Sequence, residues 1–487
     1  MDSSPVPDDG ATPAQGEDVA PPRKRPRRRL ILIGVLGVLL IGGGVAAAGG
    51  YLGWYGGGGS HPYDVMPAST FAYVQLDLNP SLEQKTQAWS FLRDLPEVQE
   101  VTLGQPDPNR ILWSFKDRLW VGSTWTNYDK DVAPWLGDRI GVGLLSNAAN
   151  HDAPQVWVTA IQVTDAVKAK AKIREWLDAT RQDYEVTTRD GYAIITANQS
   201  ASFVHAEQAK GMLGSDSRFT TDLRAVGETG WMAGWLDFGA LAASSPTPTD
   251  DPGRTAFALR FSGDTLELSG RVTGWKHPMV NGAGQLGNLP ASTGSAACSS
   301  TAVTGPLAVP LPLPMPSAPD WWASEYGFDD ADIAALFGHG ACVSAPNTAV
   351  TNLFSVPEVL GLRVVVDEPA RAQEVLRKGS ADIFEQQPLI ADRIDGNVLT
   401  AASTKDYLDE LAGARDKLSG QPGFTKAVPD SAKAAVASYL DLEHITSTYV
   451  EAGSPYQPFA TSLKAIGGQY FDEGSGNGSW SVRIVRA

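Results

Sequence analysis

Cysteine is nearly missing from this chain: 487 residues contain two, Cys298 and Cys342. That excludes a disulfide-dense scaffold, a multi-cysteine zinc site and a cysteine-ligated iron–sulfur cluster. Histidine is sparse as well. His61, His151, His205, His277, His339 and His444 are scattered, with no His-x-x-x-His pair to place two zinc ligands on one helix face. No Walker loop, Gly-x-Ser-x-Gly elbow or Ser-x-x-Lys occurs. Basic residues are in deficit, 39 against 55 acidic, for a net charge of -16. A nucleic-acid partner is therefore not expected, because phosphate binding needs a basic footprint.

What remains is a chain with 43% apolar residues, enough to bury a core, and a length of about three ordinary domains. Residues 1–29 hold prolines, scattered acids and the basic run Arg23, Lys24, Arg25, Arg27, Arg28, Arg29. With so little apolar surface to bury, this tail reads as disordered. Leu30 to Leu52 then carries no charge. As a helix it is about 35 Å long, enough to cross a hydrocarbon core of about 30 Å. The positive-inside rule puts residues 1–29 in the cytoplasm and everything after residue 52 outside a cell membrane. Cleavage after Ala46-Ala47-Ala48 is the rival reading, but secretory apolar cores are shorter, so an uncleaved anchor is expected. Small residues four apart, such as Gly44 and Ala48, offer a face on which a second copy of this helix can pack. Residues 53–66 are a glycine-rich tether.

Beyond the tether the chain repeats itself. Asp190-Gly191 and Asp395-Gly396 each separate two apolar-rich runs, a hairpin signal. Trp235-Leu236-Asp237-Phe238 corresponds to Tyr439-Leu440-Asp441-Leu442, and Ser269-Gly270-Arg271-Val272 to Ser481-Val482-Arg483-Ile484. Ala166, Ala169, Ile173, Trp176 and Leu177 make one buried helical stripe. Helices interspersed with antiparallel strands predict an α+β fold: a transmembrane helix, then an exported two-lobed domain of mixed or antiparallel sheets with helices. The expected divisions are lobe 1 over 67–290, a proline-rich bridging segment over 291–360 and lobe 2 over 361–487. Outside a membrane, thiols pair, so Cys298 and Cys342 are expected to form a disulfide, with two free thiols as the alternative.

Other groups read as structural. Gly282-Ala283-Gly284-Gln285-Leu286-Gly287 spells a dinucleotide fingerprint but is flanked by Pro278 and Pro290, so a loop is expected. Asp129 and Asp131, and Asp329, Asp330 and Asp332, stand at expected helix starts, where capping competes with calcium binding or acid–base chemistry. Asp77, Asp237 and Asp441 recur in similar strands, which suggests a structural role. Lys168, Lys170, Lys172 and Arg174 form the dense basic group of the exported part, with solvated helix surface set against an anionic polymer or headgroup. Trp113, Trp120, Trp125, Trp135 and Trp157 read as core-filling residues before a ligand platform. No catalytic, cofactor-binding or metal-binding residue is assigned.

The run Pro67 to Ser81, with Gln84-Lys85, Phe91-Leu92 and Pro134-Trp135-Leu136-Gly137, resembles an actinobacterial family known as domain of unknown function 3352. The short basic tail and single helix resemble that family too. The resemblance is expected over most of residues 63–487, and it implies no activity, cofactor or catalytic residue. The reading is a single-pass membrane protein whose outer domain is a non-enzymatic binding or interaction module of the cell envelope. Its candidate partners are an envelope protein, a lipid or a polymer. The rival readings are an envelope hydrolase with a site assembled from distant residues, and a transmembrane signalling protein.

Overall fold

Alternation along Thr70-Phe71-Ala72-Tyr73-Val74-Gln75-Leu76-Asp77 buries the odd-numbered side chains under helices and leaves Val74 on the barer side. This run is strand β1 of a computed structural model. It describes residues 59–95, 128–147, 155–243, 253–300, 328–350, 357–383, 389–449, 453 and 457–487, except 180, 182, 277, 278, 283, 284, 338 and 390. The tail, the apolar run Leu30 to Leu52, Trp113, Trp120, Trp125, His151, His277 and the proline-rich stretch 305–319 lie outside these residues. Among the described residues, no helix is long and apolar enough to cross a membrane.

The first half contributes β1 (Thr70–Asp77), β2 (Leu136–Ser146), β3 (Gln155–Val163), β4 (Tyr184–Arg189), β5 (Tyr192–Ala197), β6 (Met232–Asp237), β7 (Arg254–Ser262) and β8 (Thr265–Thr273). The second contributes β9 (Thr293–Ser299), β10 (Ala341–Pro346), β11 (Gly361–Val365), β12 (Ala391–Asp395), β13 (Val398–Ala402), β14 (Val436–Asp441), β15 (Leu463–Gly474) and β16 (Asn477–Arg486). All belong to one 16-stranded sheet in an α+β fold, and neighbouring strands pair antiparallel. Inward from one edge the order is β4, β5, β3, β2, β1, β6, β7, β8; from the other it is β12, β13, β11, β10, β9, β14, β15, β16. The two halves follow the same path and meet where β8 pairs with β16. There Ser269 faces Ser481, with Arg271 opposite Ser479 and Arg483 opposite Glu267. An approximate two-fold axis thus runs between the two serines.

Each half is covered on both faces. In the first, α4 (Asn198–Lys210) and α5 (Ser217–Val226) cover one face. Val204, Phe219 and Leu223 pack there on Val158, Tyr192 and Ile194. On the other face, α3 (Ala166–Ala179) sets Ala169, Ile173 and Leu177 on Ala193 and Ile195. In the second half, Tyr407 and Leu411 of α9 (Lys405–Gly413) and Phe424 of α10 (Pro422–Ala427) share a core with Cys298 and Cys342. Opposite them, α7 (Asp330–Phe337) and α8 (Pro369–Ile383) cover Leu362, Val364, Leu399 and Ala401. Arg486 of β16 ties the halves together. The residue is 5% exposed, and its guanidinium donates to the Ser90 and Phe91 carbonyls on α1 (Leu82–Leu92) and pairs with Asp94.

Residues 291–360 do more than bridge. They supply β9 and β10, inner strands of the second half, so that half starts near Pro290. The strand signal was hidden by composition: β9 is Thr-Gly-Ser-Ala-Ala-Cys-Ser, every residue buried, with none of the large β-branched or aromatic residues that mark strands. The hairpin correspondence also shifts. In the first hairpin Asp190 and Gly191, both at positive φ, form the corner between the paired residues Arg189 and Tyr192. In the second, Asp395 pairs with Val398, so Gly396 and Asn397 form the corner. The turns are equivalent, but Asp-Gly sits one residue earlier in the second, and a one-residue slip changes which face each side chain takes.

Candidate functional site

The segments that carry the family resemblance converge at one end of the first half. Asp77 ends β1, and Arg139 lies opposite it on β2. Arg139, a residue only 5% exposed, donates from Nε to Asp77 Oδ2 at 3.3 Å and from Nη1 to the Ser60 carbonyl at 3.2 Å. The other Asp77 oxygen accepts from the Asn79 N–H at 2.9 Å. Asn79 in turn donates to Asp138 at 3.2 Å and accepts from Lys85 Nζ. Lys85 is 4% exposed, and burial lowers its pKa against the opposing pull of Asp138 and Asp77. Ser81 caps α1 through the Gln84 N–H. Gln84 then clamps that helix to β7, donating to the Phe261 carbonyl at 3.1 Å and accepting its N–H at 2.9 Å.

The described chain begins inside this network. The Tyr192 hydroxyl donates to the Ser60 carbonyl at 2.6 Å, and burial raises its pKa to about 12. The His61 N–H donates to Asp64 Oδ2 at 2.7 Å, starting the tight turn Pro62–Asp64. Pro62 lies flat on β2 because residue 141 is glycine; a Cβ there would come within 2.4 Å of the proline ring. The His61 ring stacks on Tyr63 with centroids 4.7 Å apart. Burial, then the Arg139 charge, lowers its pKa against the pull of Asp64 and Asp77. Its Nδ1 is buried without a partner. Beside it, Tyr73 donates to Gln75 Oε1 at 3.0 Å.

Chemically this is a fastening. Its cations meet carboxylates, carbonyls or amides of the protein itself, and the bonds fix where the chain joins three strands. Sequence reasoning grouped the motif residues but missed His61, Tyr192 and the role of Arg139. The available signal was an Asp138-Arg139 pair set directly against the uncharged strand run Ile140 to Leu145.

The structure disperses the other candidates. Asp329 and Asp332 accept each other's backbone N–H at 2.8 and 3.3 Å, and Arg371 pairs with both. Asp237 and Asp441 accept N–H groups of the helices that follow them, from Ala240 at 3.0 Å and Glu443 at 2.9 Å. Asp131 ends the short helix α2 (Tyr128–Asp131) and does not start one, contrary to expectation; it pairs with Lys172 at 3.4 Å, and Lys172 also pairs with Glu175. Lys168 and Arg174 are exposed on α3; the Asp129 and Asp330 side chains lie outside the description. His205 meets Glu185 at 3.4 Å and His339 meets Asp367 at 2.7 Å, both on the surface. Gln285 and Gly287 lie around a 3-10 turn, Leu286–Asn288, that leads into a strand and not into a helix. Trp135 is fully buried, whereas Trp157 is 59% exposed. Among the described residues, no group of three or more His, Cys, Asp or Glu side chains is placed to hold a metal ion. Cys298 and Cys342 face each other on β9 and β10, 4.1 Å apart at Cα, and form a disulfide.

Residues 32–217 match the family described as "Protein of unknown function (DUF3352)", a shorter span than the resemblance implied. No curated protein and no solved structure matches the chain.

Proposed function

We propose that the chain is a single-pass membrane protein, with residues 1–29 in the cytoplasm, residues 30–52 as its anchor, and an outer domain that binds an envelope component without catalysing a reaction. Within that domain the first and second halves are two copies of one unit. The observation that carries the outer location is the Cys298–Cys342 disulfide, since such bonds persist where thiol reductants are scarce. The charge asymmetry around Leu30 to Leu52 supports the same orientation. The fastening at Ser60 and His61 supports an anchored domain: it lies inside the span 53–66 expected as a tether, shortens the free part of that span, and gives a chain arriving from a bilayer a fixed point of attachment.

Alkaline phosphatase fused after Ala487 tests the orientation, because it folds to an active form only outside the cytoplasm. The expected result is an active fusion that stays in the membrane fraction. Activity only from a fusion near residue 20 reverses the orientation, and a soluble product starting near Gly49 replaces the anchor with a cleaved signal.

A further inference from the structure

One place breaks the correspondence between the halves. Three residues past its hairpin corner, β5 carries Ile194, flanked across the sheet by Ala160 on β3 and Thr187 on β4. Ala160 and Ile194 are core residues there, both buried. The same count along β13 reaches Thr400, flanked by Arg363 on β11 and Arg393 on β12. Two guanidiniums and a hydroxyl thus stand where the first half has two aliphatic core residues and the half-buried Thr187. They line a cavity of about 70 Å³ with Asp395, Val398 and Ala412. On the same measure one water needs about 10–15 Å³, so a group of several heavy atoms fits.

The charges in this cavity are not consumed by the fold. Arg363 is half-buried and bonds only neutral acceptors, Gln285 Oε1 at 3.2 Å and the Leu411 carbonyl at 3.4 Å. Burial lowers its pKa, with Asp395 pulling the other way. Arg393 is exposed, and the neighbouring Asp392 carboxylate is paired with Arg377 at 3.0 Å. Thr400 is 4% exposed. A half-buried guanidinium that hydrogen-bonds only neutral acceptors, with the Asp395 carboxylate acting on it but not in ion-pair contact, is costly to maintain, and a planar fork of donors suits an oxyanion.

We propose that this cavity is a binding site for a phosphate group, free or as the monoester end of a larger envelope molecule. Arg363 and Arg393 donate to its oxygens from two sides. Thr400 hydrogen-bonds a third oxygen. Asp395 accepts from a P–OH or from a neighbouring hydroxyl, so the site selects an anion that also carries a donor. Sulfate, with no proton to give at neutral pH, is the poorer ligand. The assignment stands on the cavity alone and holds whether or not residues 30–52 span a membrane.

Isothermal titration of the full chain in detergent tests it, with inorganic phosphate, sulfate and glycerol 3-phosphate as probes. The expected result is saturable, salt-weakened binding of phosphate, with sulfate weaker. Loss of one charge-assisted contact in Arg393→Ala should weaken phosphate by about tenfold or more, and Asp395→Asn should narrow the preference over sulfate. Glycerol 3-phosphate binding tighter than phosphate assigns the site to an esterified source; equal or weaker binding assigns it to the free ion. Arg393 is exposed, so its variant should melt with the parent. As a check free of mutation, phosphate should slow amide exchange across residues 393–400 of the unaltered chain. No saturable phosphate heat, an unchanged Arg393→Ala isotherm, or no protection at 393–400 overturns the proposal.

Discussion

The two halves fasten corresponding strand pairs by different chemistry. In the first, β1 and β2 are tied by the buried Asp77–Arg139 ion pair, and Gln75 lies opposite Gly141. In the second, β9 and β10 are tied by the Cys298–Cys342 disulfide. The polar fastening does more than join two strands, since Arg139 and Tyr192 both reach the Ser60 carbonyl and hold the arriving chain. The covalent one leaves its surroundings apolar, in a core with Tyr407, Leu411 and Phe424. A fold duplicated in outline can thus give one copy an attachment and leave the other free for a ligand cavity.

Removing one partner of the buried pair should have the largest effect. Asp77→Ala leaves the Arg139 guanidinium uncompensated and should cost about 3–5 kcal/mol in denaturant unfolding. Replacing both, as Asp77→Leu with Arg139→Met, should cost far less if desolvation is the reason. Converting Cys298 and Cys342 together to alanine reopens a loop with a sequence separation of 44 and should cost at most about 4 kcal/mol. The two losses should be of similar size if the fastenings are alternatives.

The recurring aspartates sharpen the comparison. Asp237→Ala and Asp441→Ala should each lower stability by about 0.5–2 kcal/mol as lost caps. The Asp237 substitution should cost more, because Asp237 also pairs with Arg218 at 3.3 Å, whereas burial raises the Asp441 pKa, against its backbone hydrogen bonds.

Acid should weaken the first half in particular. The folded pKa of His61 is lowered, so the unfolded chain takes up the proton first. The stability His61 contributes is full above its ordinary value of about 6.5 and declines as pH falls below that toward the folded value. Thermal melts between pH 7.5 and 5.5 should show a smaller drop for His61→Gln than for the parent. The smallest effect is expected at the seam. Arg271 and Glu473 form a partly exposed pair at 2.6 Å, and Arg271→Ala should cost no more than about 1 kcal/mol.

The α3 stripe (apart from Ala166, which is exposed in the first turn), the strand class and the capping aspartates Asp237, Asp329 and Asp441 were legible in the sequence because each rests on local periodicity or position. The start of the second half was not legible by that route. Its strand β9 is built from small residues, and small buried residues carry no periodic signal. A different signal was present: Pro67-Ala68-Ser69-Thr70 recurs as Pro290-Ala291-Ser292-Thr293. The Ala68 and Ala291 N–H groups donate to the Gly211 and Asp416 carbonyls, each at 3.0 Å. Ser292 bonds Glu410, and Ser69 stands beside the corresponding Glu207, helping to lower its pKa after Lys210. The fastening and the phosphate cavity were illegible for another reason: each gathers residues from strands far apart in the chain, and only the register of the sheet puts them side by side.

The state of the two cysteines tests the account most directly, because it bears on both the location of the domain and the contrast between its halves. Intact cells are quenched in acid, free thiols are alkylated under denaturing conditions without reductant, and the chain is digested for mass spectrometry. The account predicts a single cross-linked peptide pair joining Cys298 to Cys342. Two separately alkylated cysteines would contradict it.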